Sequence, residues 1–343
     1  MTQKRTFQRR PEAEALLRAT DSERLRFIRQ DRWIGYPVAQ DALDALERLH
    51  DYPSVRRPPN QLIVGETNNG KTTLVDRFVE LHPEIDEPGS QGVCMPVLKL
   101  DAPQSAAEDR LYNHILEQLG EPFSLRAPPD GKFFQICHLL KDMGVRVLIL
   151  DEINNSTAGT DKQRMQMFNA IREIGNRIRR PTVLTGTFDA LTAMRDMRQM
   201  QNRFPPLVLP TWQLDSAFLQ LLASFESILP LRRRSYLASE RLAPLLLVMS
   251  GGTIGELHFL LVKAAEAAIR NGSDRITRIL LLELPWLPPD LRDAHASAAE
   301  HGQAAPFKYR DRLNALGHTT LTEDDPDGDA EPQNEQEDRA TGA

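Results

Sequence analysis

Only two cysteines, Cys94 and Cys137, occur among the 343 residues. They are too few for a disulfide framework and lack the spacing of a metal-ligand set, so a reducing compartment, the cytoplasm, is the expected location. Long apolar runs are equally scarce. The two richest stretches, Leu242–Met249 and Ile279–Leu287, are broken by Pro244 and by Glu283 and Pro285, and neither approaches the ~20 residues of a membrane span. The basic start MTQKRTFQRRPEAEA is not followed by the apolar segment of a signal peptide. Aromatic residues are not interleaved with the cations and no helix-turn-helix pattern appears, so base-specific reading of nucleic acid is not expected. No internal repeat is visible.

What is present is the balance of a folded protein: 41% hydrophobic and 26% charged residues, with a length that suggests about two domains. The net charge of -6 hides an uneven distribution. Residues 318–343 carry nine acidic side chains and one arginine, a net of -8, which leaves the other 317 residues at +2. Such a body can meet a polyanion. The acidic tail would repel one, and it has too few apolar residues to order itself.

Residues 1–30 are polar and arginine-rich, and Ala13–Ile28 has apolar residues at roughly helical spacing around a cap at Thr20 or Asp21, so a basic arm with one or two short helices is expected. In the next segment Ala42, Leu43, Leu46 and Leu49 recur at helical steps until the break SVRRPPN. From Asn60 strands alternate with helices, the pattern of an α/β protein with a parallel sheet and crossover connections. Strands are expected at Gln61–Val64, Met95–Leu100, Val145–Leu150, Thr182–Gly186 and, shorter, Leu207–Pro210. The intervening helices are expected at Thr72–Leu81, Ala106–Leu119, Phe133–Asp142 and Lys162–Arg179. Beyond residue 211 the patterns are helical only, at Asp215–Ser227, Ser239–Ser250 and Gly255–Arg270, which predicts a smaller helical domain.

Gly65-Glu66-Thr67-Asn68-Asn69-Gly70-Lys71-Thr72 matches G-x-x-x-x-G-K-[ST] without a mismatch, between a predicted strand and a predicted helix. Glycines let successive N–H groups point inward, and the following helix aims its positive end at phosphate. Lys71 would neutralise the β- and γ-phosphates of ATP and Thr72 would offer its hydroxyl to Mg2+. Gly65 through Thr73 are therefore the candidate nucleotide contacts. About eighty residues on, the apolar run Val147–Leu150 ends in Asp151 and Glu152: Asp151 would hold magnesium, and Glu152 would orient and polarise the attacking water.

The acidic pair, the later helical domain and Val183–Thr187 (VLTGT) together resemble the AAA+ superfamily. That resemblance implies a P-loop αβα sandwich followed by a helical lid. It implies a polar sensor of the γ-phosphate, for which Thr187 is the first choice and Thr185 the second. It also implies an arginine that reaches a neighbouring subunit's nucleotide: Arg203, in QNRF, with Arg195 and Arg198 as competitors. Trp33 and Tyr36 fall where the superfamily places an apolar wall against adenine. The implied layout is a basic arm over 1–30, an αβα nucleotide domain over 31–210, a helical lid over 211–290, a linker over 291–317 and a disordered acidic tail over 318–343.

RWIGYPVAQDALDALERL, GETNNGKTTL, VLILDEINN, PTVLTGTFDAL, NRFPPLVLPTW and SGGTIGELHFLLVKAAEAAI, in that order over roughly residues 30–275, resemble the TniB family of transposition ATPases, related to TnsC. Gly255 stands where many AAA+ proteins carry a lid arginine. The resemblance implies a magnesium-dependent ATPase that assembles as a ring or helical homo-oligomer around duplex DNA, recruits a DDE transposase, works with a target-selection protein, and leaves on hydrolysis. Backbone contacts to DNA are expected from Lys99, Arg126 and Lys132, placed on loops after the second strand, or from Lys4, Arg5, Arg9 and Arg10. Arg232, Arg233 and Arg234 read as an exposed helix end. Two alternatives remain: an origin-binding or helicase-loading ATPase, although the chain between Arg270 and the acidic tail is short for the usual winged-helix domain, and a scaffold switched by ATP without hydrolysing it.

Overall fold

The computed structural model describes residues 7–85, 93–154, 160–195, 200, 202–292, 296–297 and 309. Two short helices, α1 (Pro11–Ala15) and α2 (Asp21–Ile28), precede α3 (Pro37–His50). The strands β1 (Gln61–Gly65), β2 (Val97–Asp101), β3 (Val147–Asp151), β4 (Thr182–Gly186) and β5 (Pro206–Leu209) form one parallel five-stranded sheet in the order β2-β3-β4-β1-β5. Side chains of successive strand residues point to opposite faces, and the sequence uses this fully. Leu62, Val64, Leu148, Leu150 and Leu184 enter the core under α5 (Glu108–Gln118), α6 (Pro129–Asp142), α7 (Asp161–Ile178) and α8 (Phe188–Arg195). Ile63, Val147, Ile149 and Val183 enter the core under α3 and α4 (Lys71–Leu81). Burial on both faces is why these strands read as continuous apolar runs. The result is the P-loop αβα sandwich that the AAA+ resemblance implies.

Local chemistry sets the helix starts. Pro37 opens α3 without needing a backbone partner, and Thr160 and Gln163 form a reciprocal capping box at α7. A separate core gathers Phe218, Leu222, Leu246, Leu257 and Leu261 from α9 (Ser216–Ile228), α10 (Ala243–Met249) and α11 (Ile254–Arg270), with α12 (Arg278–Glu283) packed behind. Trp286 closes it by donating its indole N–H to the Met249 carbonyl at 2.8 Å. Among the described residues no single helix is long and apolar enough to cross a membrane.

Several expectations are corrected. The described part of the arm is packed on the helical domain: Ile28 joins its core, and the fully buried Arg24 pairs with Asp274 and donates from Nε to the Pro230 carbonyl at 2.9 Å. Arg9 and Arg10 are likewise engaged there, the first through its guanidinium to Leu231 O at 2.7 Å, the second through its backbone N–H to Ser227 O at 2.9 Å. Arg232 and Arg234 sit in a loop and tie these segments together, Arg232 through Asp274 and Arg234 over the rings of Phe7 and Tyr236. The helix expected from Ser239 begins only at Ala243, because Pro244 can enter only the first turn. Lys99 lies within β2 rather than on a loop. Lys132 lies within α6, buried, paired with Asp109 at 2.7 Å, so it is no DNA contact. Lys4, Arg5, Arg198 and the acidic tail lie outside the described residues.

Candidate nucleotide-binding site

β1 stops at Gly65, α4 starts at Lys71, and residues 66–70 turn between them. Asn68 and Gly70 take left-handed backbone angles, φ 60° and 79°, which glycine adopts without strain. Lys71 is buried, and its ammonium donates to the carbonyls of Gly65 at 2.9 Å and Glu66 at 2.7 Å, inside the loop. Burial holds the Lys71 pKa below its ordinary value, opposed by the carboxylates of Asp151, Glu66 and Glu152. Glu66, Thr67, Thr72 and Thr73 are exposed around it. Asn69 is not an exposed contact: its buried amide donates to Leu209 O at 2.9 Å and Pro210 O at 3.1 Å, bracing the loop against the end of β5.

The acidic pair ends β3 at the same edge. Asp151 is fully buried. Its Oδ1 accepts from the Thr185 hydroxyl and from the Glu152 N–H at 3.0 Å, and the same N–H also reaches Thr185 Oγ1 at 3.1 Å. Glu152 takes φ 54° with its side chain exposed, a left-handed conformation that costs about 1–2 kcal/mol for a residue with a Cβ. The two bonds from its N–H hold it there. Of the two threonines considered as sensor, Thr185 therefore touches the acidic pair. Thr187, half-buried one residue past β4, accepts the Leu191 N–H through its carbonyl at the start of α8.

Asp151 Oδ2 accepts no hydrogen bond among the described residues and has the Lys99 ammonium 3.3 Å away as an ion-pair partner. Lys99 also bonds Asp76; burial would lower its pKa, but the two carboxylates outweigh that and hold it above the ordinary value. Lys99 thus belongs to this centre. A buried carboxylate oxygen without a hydrogen bond and the Thr72 hydroxyl in the first turn of α4 are hard oxygen donors, the kind magnesium takes, so the donor set fits that ion.

Tyr36 packs edge-on to Trp212, ring centroids 5.0 Å apart, and burial pushes its hydroxyl up to about 12. Trp33 packs against the core beneath α3 and α4. A Cβ placed on Gly70 would lie 3.1 Å from Ile254 Cγ2 and 3.9 Å from Tyr36 Oη, so an apolar wall of Tyr36, Trp212 and Ile254 flanks the loop. Trp212 and Ile254 were not among the expected contacts, although the PTW and GTIGEL segments that contain them stood out in the sequence.

The helical domain grips the tip of the loop. Gly255 N–H donates to Asn68 O at 3.0 Å, Asn68 Nδ2 donates to Glu256 Oε1 at 3.0 Å, and Arg292 completes the clasp with two bonds to Glu256, one at 2.8 Å. A Cβ at Gly255 would fall 2.1 Å from Asn68 Oδ1 and 2.6 Å from Asn68 O. The space that a side chain at position 255 would need is thus filled by the loop itself.

Arg203 lies elsewhere. It precedes β5, whereas the phosphate loop follows β1, and because the strands are parallel the two occupy opposite edges of the sheet. Its guanidinium donates to Asn176 Oδ1 at 3.4 Å. Arg195 ends α8, exposed, and Arg126 is exposed on the loop before α6.

A family model described as "Bacterial TniB protein" matches residues 24–214, more than half of the chain. Compared by sequence with curated proteins, the chain matches none. Among solved structures it is similar to the Aeropyrum pernix ORC2 protein in ADPNP–ADP complexes, with a TM-score of 0.53 at 16% identity over 86% of this chain and 89% of that one. It is also similar to Cdc6p from Pyrobaculum aerophilum, with a TM-score of 0.52 at 15% identity over 87% and 90%. At these identities the likeness is one of fold.

Proposed function

The chain belongs to the TniB family, and from that premise we propose that it is a magnesium-dependent AAA+ ATPase that assembles on duplex DNA and regulates transposition. The observation that carries the ATPase reading is the convergence of Lys71 inside the phosphate loop with Asp151, Glu152 and Thr185 at the same sheet edge. Backbone N–H groups of residues 66–71 and the Lys71 ammonium would bind the phosphates, and the wall of Tyr36 and Trp212 would meet the base. Thr72 and Asp151 would hold the magnesium ion, which supplies neutralisation of phosphate charge. Glu152 would orient the attacking water, held in place by the bonds from its own backbone to Thr185 and Asp151.

Arg203, at the far edge from its own phosphate loop, would meet a neighbouring subunit's nucleotide, which would tie hydrolysis to assembly. Transposase recruitment and release on hydrolysis rest on family membership. The origin-binding alternative has only the fold likeness behind it, and the non-hydrolysing scaffold is disfavoured by the constrained Glu152. ATP turnover with and without duplex DNA tests the reading. Lys71→Ala is expected to weaken nucleotide binding, and Glu152→Gln to retain it and to accumulate assemblies visible by negative stain with ATP and DNA. Monomers throughout, or turnover indifferent to DNA, would count against assembly on DNA. No calorimetric binding of magnesium–ATP would sink the ATPase reading itself.

A further inference from the structure

At the edge of the sheet opposite the phosphate loop lies a cleft of about 990 Å³. Its walls are built from the connections that enter four adjacent strands, in the order β3-β4-β1-β5. Lys141 precedes β3, Arg56 and Arg57 precede β1, and Arg203 precedes β5. The turn into β4 adds Arg177, Arg179 and Arg180, with Arg172 from the preceding helix. These are eight cations, and no aspartate or glutamate is among the described residues that line the cleft. Arg179 ends α7 in a left-handed conformation, φ 60° and ψ 39°, a position that most often belongs to glycine. Burial, with Arg57 and Arg172 close by, holds the Arg203 guanidinium below its ordinary pKa, as expected where positive charges crowd one another.

We propose that this cleft binds the sugar–phosphate backbone of duplex DNA, at a site separate from the nucleotide pocket. Four neighbouring strands span roughly 14 Å at about 4.8 Å each, roughly four base-pair steps of duplex measured along its axis at 3.4 Å each. Arginine presents a planar fork that meets phosphate oxygens in pairs, and seven of the eight cations are arginines. A single guanidinium suffices to act on a neighbour's nucleotide, which is the role left to Arg203; of the other seven, Arg180 donates to the Tyr52 carbonyl at 3.4 Å and Arg177 lies over the Phe134 ring, contacts that occupy only part of a five-donor guanidinium. Among the described residues no exposed aromatic or aliphatic side chain lines the cleft to anchor a peptide: the two aliphatic residues there, Val145 and Ile178, are buried. The charge and the preponderance of arginine, whose fork matches phosphate oxygens, favour nucleic acid over an acidic protein. The choice of DNA as the polyanion rests on the function proposed above; the presence of an anion site does not.

The test is fluorescence anisotropy of the full chain with a labelled duplex of random sequence, over a salt series, without nucleotide and with ATP. Arg56→Gln/Arg57→Gln/Arg179→Gln is expected to keep the melting temperature and the DNA-free ATP turnover. Its salt slope should be shallower by roughly 0.9 for each phosphate left without its arginine, about 2.7 for three. If the triple variant fails to fold, Arg56→Gln and Arg179→Gln singly are each expected to lower the slope by about 0.9. Unchanged affinity and slope in a folded variant would overturn the cleft while leaving the DNA-directed function standing. If wild-type protein hydrolyses ATP yet binds no duplex, both fail. If it binds labelled poly-glutamate through these arginines but not DNA, the site serves an acidic protein and the proposal is overturned.

Discussion

Replacing Thr185 by valine tests the reading of the acidic centre most directly, because the side chain keeps its shape and loses one hydroxyl. That hydroxyl donates to the fully buried Asp151 and accepts from the Glu152 N–H at 3.1 Å. A hydrogen bond to an ionised group contributes about 1.5–3 kcal/mol. The Glu152 N–H keeps its bond to Asp151 Oδ1, so the lower half of that range applies and a loss of about 2 kcal/mol is expected. For a domain of this size that corresponds to a drop in Tm of roughly 4–8 °C. The larger effect should fall on turnover. Glu152 is held at φ 54° by these two bonds, and with one gone its carboxylate moves; a misplacement near 1 Å costs on the order of 100-fold in rate. Binding of ATP without magnesium, which depends on Lys71 and the loop, should change little. Melting curves, calorimetry and steady-state turnover on Thr185→Val and Thr187→Val decide the matter. Wild-type turnover in Thr185→Val with loss in Thr187→Val would refute the assignment of Thr185 as the residue that positions the acidic pair.

Gly255→Ala forces a Cβ to within 2.6 Å of the Asn68 carbonyl oxygen, so a loss of about 1–3 kcal/mol and an altered nucleotide Kd are expected, measured by melting and calorimetry. Burial raises the Asp274 carboxyl, but the bonds from Arg24 and Arg232 outweigh it and hold the group below 3.8. Its contribution is therefore complete above pH 3.8 and disappears as pH falls through the lower folded value. Asp274→Asn should flatten that part of the stability–pH curve and cost roughly 3 kcal/mol at neutral pH by leaving buried Arg24 without its main partner. Lys132→Met should leave duplex affinity and its salt dependence unchanged in anisotropy measurements, since the ammonium is buried against Asp109.

The phosphate loop and the acidic pair could be read from sequence because each is a local pattern fixed by backbone geometry, and the strands because burial on both faces leaves runs such as Val147–Leu150. Contacts between distant positions left no such trace. Asn68 meets Glu256 across 188 residues, Asn69 meets Leu209 across 140, and Arg24 meets Asp274 across 250. Asn68 and Asn69 read as nucleotide contacts within the phosphate-loop motif, and an arginine between glutamate and leucine reads as surface; only the fold supplies their protein partners. Lys132 misled for the same reason: a lysine is expected in water, and Asp109, one helix away, is what makes its burial tolerable.

The clasp on the phosphate loop also bears on how the molecule can be altered. Arg292 holds Glu256, and Glu256 holds Asn68, so Arg292 sits two bonded steps from the turn proposed to grasp ATP. A substitution at Arg292 is thus expected to reach the loop through two hydrogen-bonded steps, whereas one on the exposed loop at Arg126 is not.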